Sequence, residues 1–204
     1  MYLLDQRTLG IAILFLLGML VIVKRVTTGS ILDRPKGIFL VQLVNIFNLF
    51  FLLVVNPLAA ILLIARRLAT IDPTHMVIDR LWILVVLEIV GLVIYVIGYL
   101  LMAWALIMLG RNYQLGGSAP RAVDEVVMDG PYRLVRHPMY TAALSISLGL
   151  ACLIQSLAFF FVFCIYLVLI LFLIPIEEEG LQHAYSDRYF VYQKKVKKLV
   201  PYLY

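Results

Sequence analysis

Five long apolar runs dominate this sequence and limit what it can fold into. A helix of roughly 20 apolar residues crosses the hydrocarbon core of a bilayer with all its backbone hydrogen bonds satisfied internally. The fourth run is short, because at 1.5 Å per residue it reaches only about 24 Å of a core that is roughly 30 Å thick. We therefore predict an all-α, polytopic integral membrane helical bundle with about five transmembrane helices. The runs cover residues 9–23, 38–64, 81–109, 139–154 and 157–176.

The composition supports a membrane protein and argues against other classes. Hydrophobic residues make up 64% of the 204 residues, which is more than a soluble domain contains. The net charge of +5 does not indicate a nucleic-acid partner, because basic residues collect in the cytoplasmic loops of membrane proteins. Cys152 and Cys164 both lie inside apolar runs, as small core residues do, and indicate neither a disulfide nor a metal site. We expect membrane lipids as partners, and no nucleic acid and no metal.

The basic residues also predict how the chain is oriented in the membrane. With the N-terminus outside and five crossings, 13 of the 17 Lys and Arg residues fall on the inner side. Positive charge accumulates in cytoplasmic loops, so this orientation is favoured over its inverse. We therefore expect the N-terminus outside and the C-terminus in the cytoplasm. The four basic residues that remain on the outer side are Arg7, Arg66, Arg67 and Arg80.

The last two apolar runs are predicted to form a helical hairpin. Only Gln155 and Ser156 separate them, so the second helix must return to the side that the first one left. Beyond the hairpin, apolar residues recur every three or four positions, which predicts an amphipathic cytoplasmic tail helix. The tyrosines on its apolar face are typical of an interfacial aromatic belt. The residues of this face are Leu181, Tyr185, Tyr189, Tyr192 and Val196.

Two charged segments flank the hairpin on that same side. Residues 129–140 include Arg136 and His137, and Pro138 favours the start of a helix directly after the histidine. Glu177 and Glu178 follow the hairpin, so the fold brings them towards His137. Carboxylates accept hydrogen bonds from hydroxyl and ammonium groups, whereas arginine and backbone N–H groups suit a carboxylate. The sequence thus predicts a polar cofactor site on the cytoplasmic side.

Glu88 is a second acidic candidate, because it lies inside the third apolar run. An acidic residue within a membrane segment is a functional candidate by default. Its place early in the run, towards the outer boundary, favours a structural role instead.

The polar segments and the hairpin occur in an order that resembles a known family. The sequence reads Gly-Pro-Tyr-Arg-x-x-Arg-His-Pro-x-Tyr at 130–140, Glu-Glu-x-x-Leu at 177–181 and Tyr-x-x-Tyr at 189–192, with a terminal Pro201. This set resembles the isoprenylcysteine carboxyl methyltransferase family, a broad family that is also similar to membrane phospholipid N-methyltransferases. The resemblance runs from about residue 109 to residue 201, close to half of the chain.

The resemblance implies an S-adenosylmethionine-dependent methyltransferase of the integral membrane type. It implies one structural domain, in which residues 1–109 form the scaffold and the lipid-facing substrate entrance, and residues 110–204 form the cofactor-binding half. Catalytic residues are left open, with His137 and Glu178 as possible proton acceptors. By position, the implied contacts of S-adenosyl-L-methionine are Val126, Val127, Tyr132, Arg136, His137, Pro138, Tyr140, Glu177 and Glu178.

The methyl acceptor is expected to be lipophilic and to enter from the bilayer. The isoprenylcysteine enzymes carry an arginine about one turn before the glutamate pair, whereas Leu173 occupies that place here. The carboxylate of a prenylcysteine-like substrate and the amine of a lipid therefore both stay open as acceptors. Two other functions stay open as well. Membrane sterol and steroid reductases share a similar C-terminal half but use NADPH, and a non-enzymatic membrane scaffold could keep the same fold.

Overall fold

The protein is a helical membrane bundle, seen in a computed structural model that describes residues 2–31, 38–110 and 126–201. All five apolar runs are helical, and four helices are long and apolar enough to cross a membrane. The predicted all-α polytopic fold is confirmed, and the short fourth run is a 17-residue helix. The helices are α1 (Gln6–Thr28), α2 (Phe39–Phe50), α3 (Asn56–Ile64), α4 (Leu68–Ile71), α5 (Leu81–Leu109), α6 (Pro138–Ile154) and α7 (Leu157–Lys195).

Large apolar side chains on the long helices point away from the protein. Phe15 on α1, Trp82 on α5 and Phe161 on α7 are each about two-thirds exposed. Such extensive apolar exposure is unfavourable in water and is the normal surface of a protein in lipid. The chain is therefore an integral membrane protein. Residues 111–125, most of the polar loop between the third and fourth runs, lie outside the described residues.

Helices α5 and α6 approach each other closely through glycines. A Cβ atom at Gly91 would lie 2.6 Å from Cys152 Cβ, and one at Gly149 would lie 2.7 Å from Tyr95 Cβ. Small residues let two helix backbones meet without side chains between them, which is a common mode of packing in membranes. Because α6 is held in this way along its length, its first turn is fixed in position, and that turn begins directly after His137.

The second membrane segment contains a π-helical turn, Phe51–Val55, that joins α2 to α3. The sequence predicts a kink at Pro57, and the irregular turn lies just before it. The Phe51 carbonyl accepts hydrogen bonds from the Asn56 backbone N–H and from Asn56 Nδ2, the latter at 3.1 Å, so it stays paired within the irregular turn. Beyond this turn, α3 packs against α1, whereas α2 packs against α7. Residues of both α1 and α2 line one cavity.

The end of the bundle opposite His137 is closed by the N-terminal segment. Glu88 on α5 accepts hydrogen bonds from the backbone N–H groups of Leu3 and Leu4, at 2.9 and 2.7 Å, and from Gln155 Nε2 at 2.8 Å. Glu88 and Gln155 are both completely buried. The buried acid therefore ties the N-terminus to the α6–α7 corner, and the structural role that its position favoured is the one its contacts support.

The tail of the chain bends back at Ser186, which interrupts α7 with a φ of 47°. The predicted helical tail after the hairpin is confirmed, and α7 continues into it through Glu177 without a break as far as this bend. After α7, the segment 196–201, here called the strap, returns to the start of α6. The Arg136 and His137 N–H groups donate to the carbonyls of Lys197 and Lys198, at 2.7 and 3.0 Å. The strap thereby lies against the start of α6, at the end of the bundle opposite Glu88.

Candidate functional site

The backbone before α6 fixes His137. Gly130 opens a short 3-10 turn, Gly130–Arg133, with a φ of 60°, and a Cβ there would lie 2.8 Å from Met108 Cγ on α5. Glycine therefore lets this turn sit directly on α5. Pro138 then occupies the first turn of α6, where its missing N–H costs nothing. The His137 imidazole is buried and stacks on the Tyr140 ring at a centroid distance of 5.6 Å.

Arg136, His137 and Glu178 form one buried charged cluster. Glu178 Oε1 lies 2.7 Å from Arg136 Nε, 2.6 Å from Arg136 Nη2 and 3.1 Å from His137 Nε2. Arg136 Nη1 donates as well to the carbonyls of Gln193 and Val196, near the end of α7. The guanidinium group thus links α7, the residue before α6 and the start of the strap. These contacts make Arg136 and Glu178 the supports of His137.

The Glu178 carboxyl group lies beyond the apolar run that ends at residue 176, outside the membrane-spanning part of α7. Burial raises its pKa, whereas the hydrogen bonds with His137 and Arg136 and their charges lower it by more. The net result is a pKa below the ordinary value of 4.5. Glu178 is therefore a carboxylate at neutral pH, and its charge offsets that of the buried Arg136.

A cavity of about 290 Å³ adjoins this cluster. All the predicted cofactor residues except Glu178 line it, and Glu178 lies behind His137 and Arg136. The structure thus brings the predicted residues together around one space, while their role as cofactor contacts stays a prediction. The lining residues from the prediction are Val126, Val127, Tyr132, Arg136, His137, Pro138, Tyr140 and Glu177.

Three tyrosines that the sequence assigned to an interfacial belt also line this cavity: Tyr185, Tyr189 and Tyr192. Tyr189 and Tyr192 are buried, and the Tyr192 hydroxyl donates to the Tyr132 carbonyl at 2.5 Å. The sequence did carry a signal for them. From Glu177, positions 181, 185 and 189 follow at intervals of four, so one helical face connects the acid to the tyrosines.

Glu177, the neighbour of Glu178, has a buried carboxyl oxygen without a hydrogen-bond partner among the described residues. Its Oε2 atom is buried, faces His137 Nδ1 at 3.8 Å and has no hydrogen-bond partner within the described parts of the chain. Buried polar atoms are almost always hydrogen-bonded, because an unpaired one costs the free energy of its lost hydration. An unpaired carboxyl oxygen at a cavity wall therefore fits a ligand that carries hydroxyl or ammonium donors.

The other end of the cavity lies among the membrane helices. Its walls include Leu20 and Val21 of α1 and Asn48 and Leu49 of α2. The Tyr166 hydroxyl of α7 donates to Asn48 Oδ1 at this end. The same cavity therefore joins a buried charged pocket to an apolar compartment at the level of the membrane segments.

These features define a class of protein: an integral membrane helical bundle whose binding cavity has one polar end and one end among its membrane helices. A family model described as phospholipid methyltransferase matches residues 86–188, just over half of the chain. The chain belongs to this family of membrane methyltransferases, and the resemblance seen in the sequence is confirmed. A comparison with curated proteins found no match. The family match includes the His137 and Glu178 cluster and gives no support to the reductase alternative.

Proposed function

We propose that this protein is an S-adenosylmethionine-dependent methyltransferase that methylates the amine of a membrane lipid. In this proposal the cofactor occupies the polar end of the cavity, and the acceptor occupies the end between α1 and α2. Residues 1–109 then supply the entrance for the acceptor, and residues 110–204 supply most of the cofactor contacts. The single observation that carries the proposal is the cavity itself, which joins these two ends.

The residues at the polar end fit the cofactor. The unpaired Glu177 Oε2 can accept from ribose hydroxyls or from the ammonium group, and the tyrosine side chains offer apolar surface for an adenine ring. When bound, S-adenosylmethionine supplies a methyl group on a positively charged sulfonium, which a nucleophile displaces in line. Aromatic faces attract cations, so Tyr185 and Tyr189 suit the neighbourhood of that charge.

The described cations of the cavity are already engaged by protein oxygens, which favours an amine acceptor over a carboxylate. Among the described lining residues, the cations are Lys24 and Arg136, and protein oxygens engage both. Lys24 Nζ donates to the Ile31 carbonyl at 3.0 Å, and the contacts of Arg136 are those with Glu178 and α7. The amide of Asn48 and the hydroxyl of Tyr166 can instead accept hydrogen bonds from an amine. The acceptor proposed is therefore a lipid amine.

His137 is the proposed proton acceptor of the reaction. An amine nucleophile gives up a proton when it is methylated, and His137 lines the cavity in contact with Glu178. Glu178 is already hydrogen-bonded to Arg136, so its proposed role is to hold the imidazole in place and to stabilise it when protonated. The strap and the buried tyrosines exclude water from this end, which protects the cofactor from hydrolysis.

The cytoplasmic side is the proposed location of the polar end. A soluble cofactor is available there, and the excess of basic residues in the flanking segments favours that side. Single cysteines introduced at exposed positions, such as Lys194→Cys near the site and Arg80→Cys at the opposite end, test the proposal in sealed vesicles. In right-side-out vesicles, an impermeant thiol reagent added outside is expected to label Arg80→Cys and not Lys194→Cys. The reverse pattern of labelling would contradict the proposed orientation.

Methyl transfer in nanodiscs tests the function. Purified protein with radiolabelled S-adenosylmethionine is expected to label phospholipids that carry a primary amine. It should not label phospholipids whose amine is already trimethylated, since these have no lone pair to react. Transfer to a prenylcysteine carboxylate and not to the lipid amine would contradict the proposed acceptor. Absence of transfer to any lipid, together with absence of S-adenosylhomocysteine binding, would contradict the proposed enzyme.

A further inference from the structure

A basic hollow lies outside the cavity, on the other side of the Tyr192 side chain. It measures about 340 Å³, and its three cations come from two separate elements. Arg133 belongs to the 3-10 turn before α6, whereas Arg188 and Lys195 lie on the part of α7 that follows the Ser186 bend. The remaining walls are apolar or aromatic, formed by Met128, Val191, Tyr192 and Val196.

Within the described residues, the three cations of the hollow have no acidic partners. All three side chains are exposed, and within the described residues no hydrogen bond or ion pair engages any of them. Asp129 and Asp187 are the acidic residues nearest to them in sequence, and neither forms an ion pair with them. Arg136 nearby shows the opposite arrangement, with its guanidinium fully engaged. Like charges gathered around one space repel each other, so an anion placed between them is stabilising.

The hollow lies at the level where α6 enters the membrane. The strap returns to that level, since the His137 N–H bonds to Lys198 and Leu199 packs in the core with Tyr140. Large apolar side chains next to the hollow are exposed, among them Leu134 and Phe190, each about half exposed. Cations mixed with exposed apolar side chains at the end of membrane helices are typical of a surface that sits among lipid headgroups.

We infer that Arg133, Arg188 and Lys195 form a binding site for the phosphate group of an anionic membrane lipid. The lipid does not occupy the methyl-transfer cavity, and it is not the acceptor. Its phosphate bridges the 3-10 turn to the last part of α7, two elements that the structure otherwise joins there through the Tyr192–Tyr132 hydrogen bond. Because Tyr192 lines the hollow and the cavity alike, the bound lipid holds a wall of the cavity in place.

Lipid retention measures the site directly and does not depend on the proposed function. Protein is prepared in zwitterionic nanodiscs with a minor fraction of labelled phosphatidylglycerol, and the lipid that stays bound on detergent extraction is counted by native mass spectrometry. Charge-assisted hydrogen bonds to one phosphate exceed general attraction to a surface, so Arg133→Gln with Arg188→Gln should lower retention about 25-fold or more. The matched control is Lys194→Gln with Lys197→Gln, which removes the same charge from the same side.

The outcomes separate the alternatives. Retention that falls in the first pair and less than fivefold in the control, at equal unfolding temperatures, supports the site. Equal loss in the two pairs contradicts it and indicates diffuse attraction to the surface. Displacement of the lipid by millimolar inorganic phosphate would overturn a lipid site in favour of a soluble anion. An equal preference of the wild type for zwitterionic lipid would overturn any anion site.

A second measurement tests the link to the cavity. The affinity for S-adenosylhomocysteine is expected to rise when phosphatidylglycerol is added, in the wild type and in the control pair. It should not rise in the Arg133→Gln and Arg188→Gln pair. The affinity measurement rests on the proposed function, whereas lipid retention does not. Failure of the proposed function would therefore abolish S-adenosylhomocysteine binding and leave lipid retention unchanged. Retention without any gain in affinity would contradict the bridging role.

Discussion

Glu88 and Glu178 are both buried acids in this helical bundle, and they lie near opposite ends of α6. Glu88 accepts from neutral donors, the N–H groups of Leu3 and Leu4 and the amide of Gln155. Glu178 is held by Arg136 and lies 3.1 Å from His137 Nε2. Glu177, the neighbour of Glu178, lines the cavity, whereas none of the hydrogen-bond partners of Glu88 does.

The difference teaches how to separate a structural buried acid from one that supports a binding site. Each carboxyl oxygen of Glu88 accepts hydrogen bonds from the protein, so nothing is left for a ligand. Glu178 is held by the protein too, but it supports a histidine at a cavity wall, and its neighbour Glu177 has an oxygen, Oε2, without a hydrogen-bond partner among the described residues. Both acids are buried, and only their surroundings distinguish them.

Glu178→Ala is expected to have the largest effect, because it leaves Arg136 buried without its carboxylate. Removing one member of a buried ion pair costs about 3 to 5 kcal/mol. We expect a large fall in the unfolding temperature in detergent, together with loss of S-adenosylhomocysteine binding. The double change Glu178→Leu and Arg136→Met, which removes both charges, should recover most of the stability but not the binding. If the double variant bound normally, Glu178 and Arg136 would have no part in holding His137.

Glu177→Gln is expected to act on binding and not on stability. A hydrogen bond to a charged group is worth about 1.5 to 3 kcal/mol, so the affinity for S-adenosylhomocysteine should fall roughly 10- to 100-fold. Isothermal titration calorimetry checks this in nanodiscs. Glu179→Gln is the matched control, since Glu179 is exposed on the same turn of α7 and should bind as the wild type does. Equal affinities of the two variants would remove Glu177 from the site.

Glu88→Gln tests the other side of the comparison. The amide oxygen still accepts hydrogen bonds from the N-terminal segment, so the loss in stability should be modest, about 1 kcal/mol. Thermal unfolding in detergent measures it, and the affinity for S-adenosylhomocysteine should stay unchanged. A selective loss of affinity, at unchanged stability, would show that the Glu88 end of the bundle takes part in binding after all.

Acidification should have the smallest effect, a loss of the contribution that Glu178 makes to the stability of the folded protein. The pKa of Glu178 is lowered in the folded protein from an ordinary value of 4.5. Its contribution to stability is therefore complete above the ordinary pKa and is lost as the pH falls through the folded-state value. Unfolding temperatures of the wild type and of Glu178→Gln, followed from about pH 7 to about pH 3, should converge on acidification. A gap between them that stays constant over this range would show that Glu178 is not titrating in the way its contacts require.

Much of this arrangement could be predicted from the sequence. Apolar run lengths fixed the helices, and the two-residue turn at Gln155 and Ser156 placed Glu177 at the same end as His137. The positive-residue count and the motif from Tyr132 to Tyr140 then predicted a polar site there. These features depend on local pattern or on residues adjacent to an element boundary, which a sequence shows directly.

The rest depends on contacts between distant residues. The bend at Ser186 occurs without an adjacent glycine or proline that would predict it. The strap pairs with residues about 60 positions earlier in the chain. Arg136 resembled a cofactor contact in sequence, and only the structure shows its guanidinium engaged by Glu178 and by carbonyls at the end of α7. The hydrogen bond from the Tyr192 hydroxyl to the Tyr132 carbonyl likewise joins residues 60 positions apart.

A structure of the protein with S-adenosylhomocysteine bound in a lipid environment tests the central claim most directly. The account predicts the nucleoside in the cavity, with a hydroxyl or ammonium group within hydrogen-bond distance of Glu177 Oε2 and His137 beside the site of transfer. Density for the ligand at the Glu88 end, or anywhere outside the cavity that His137 and Glu177 line, would contradict it.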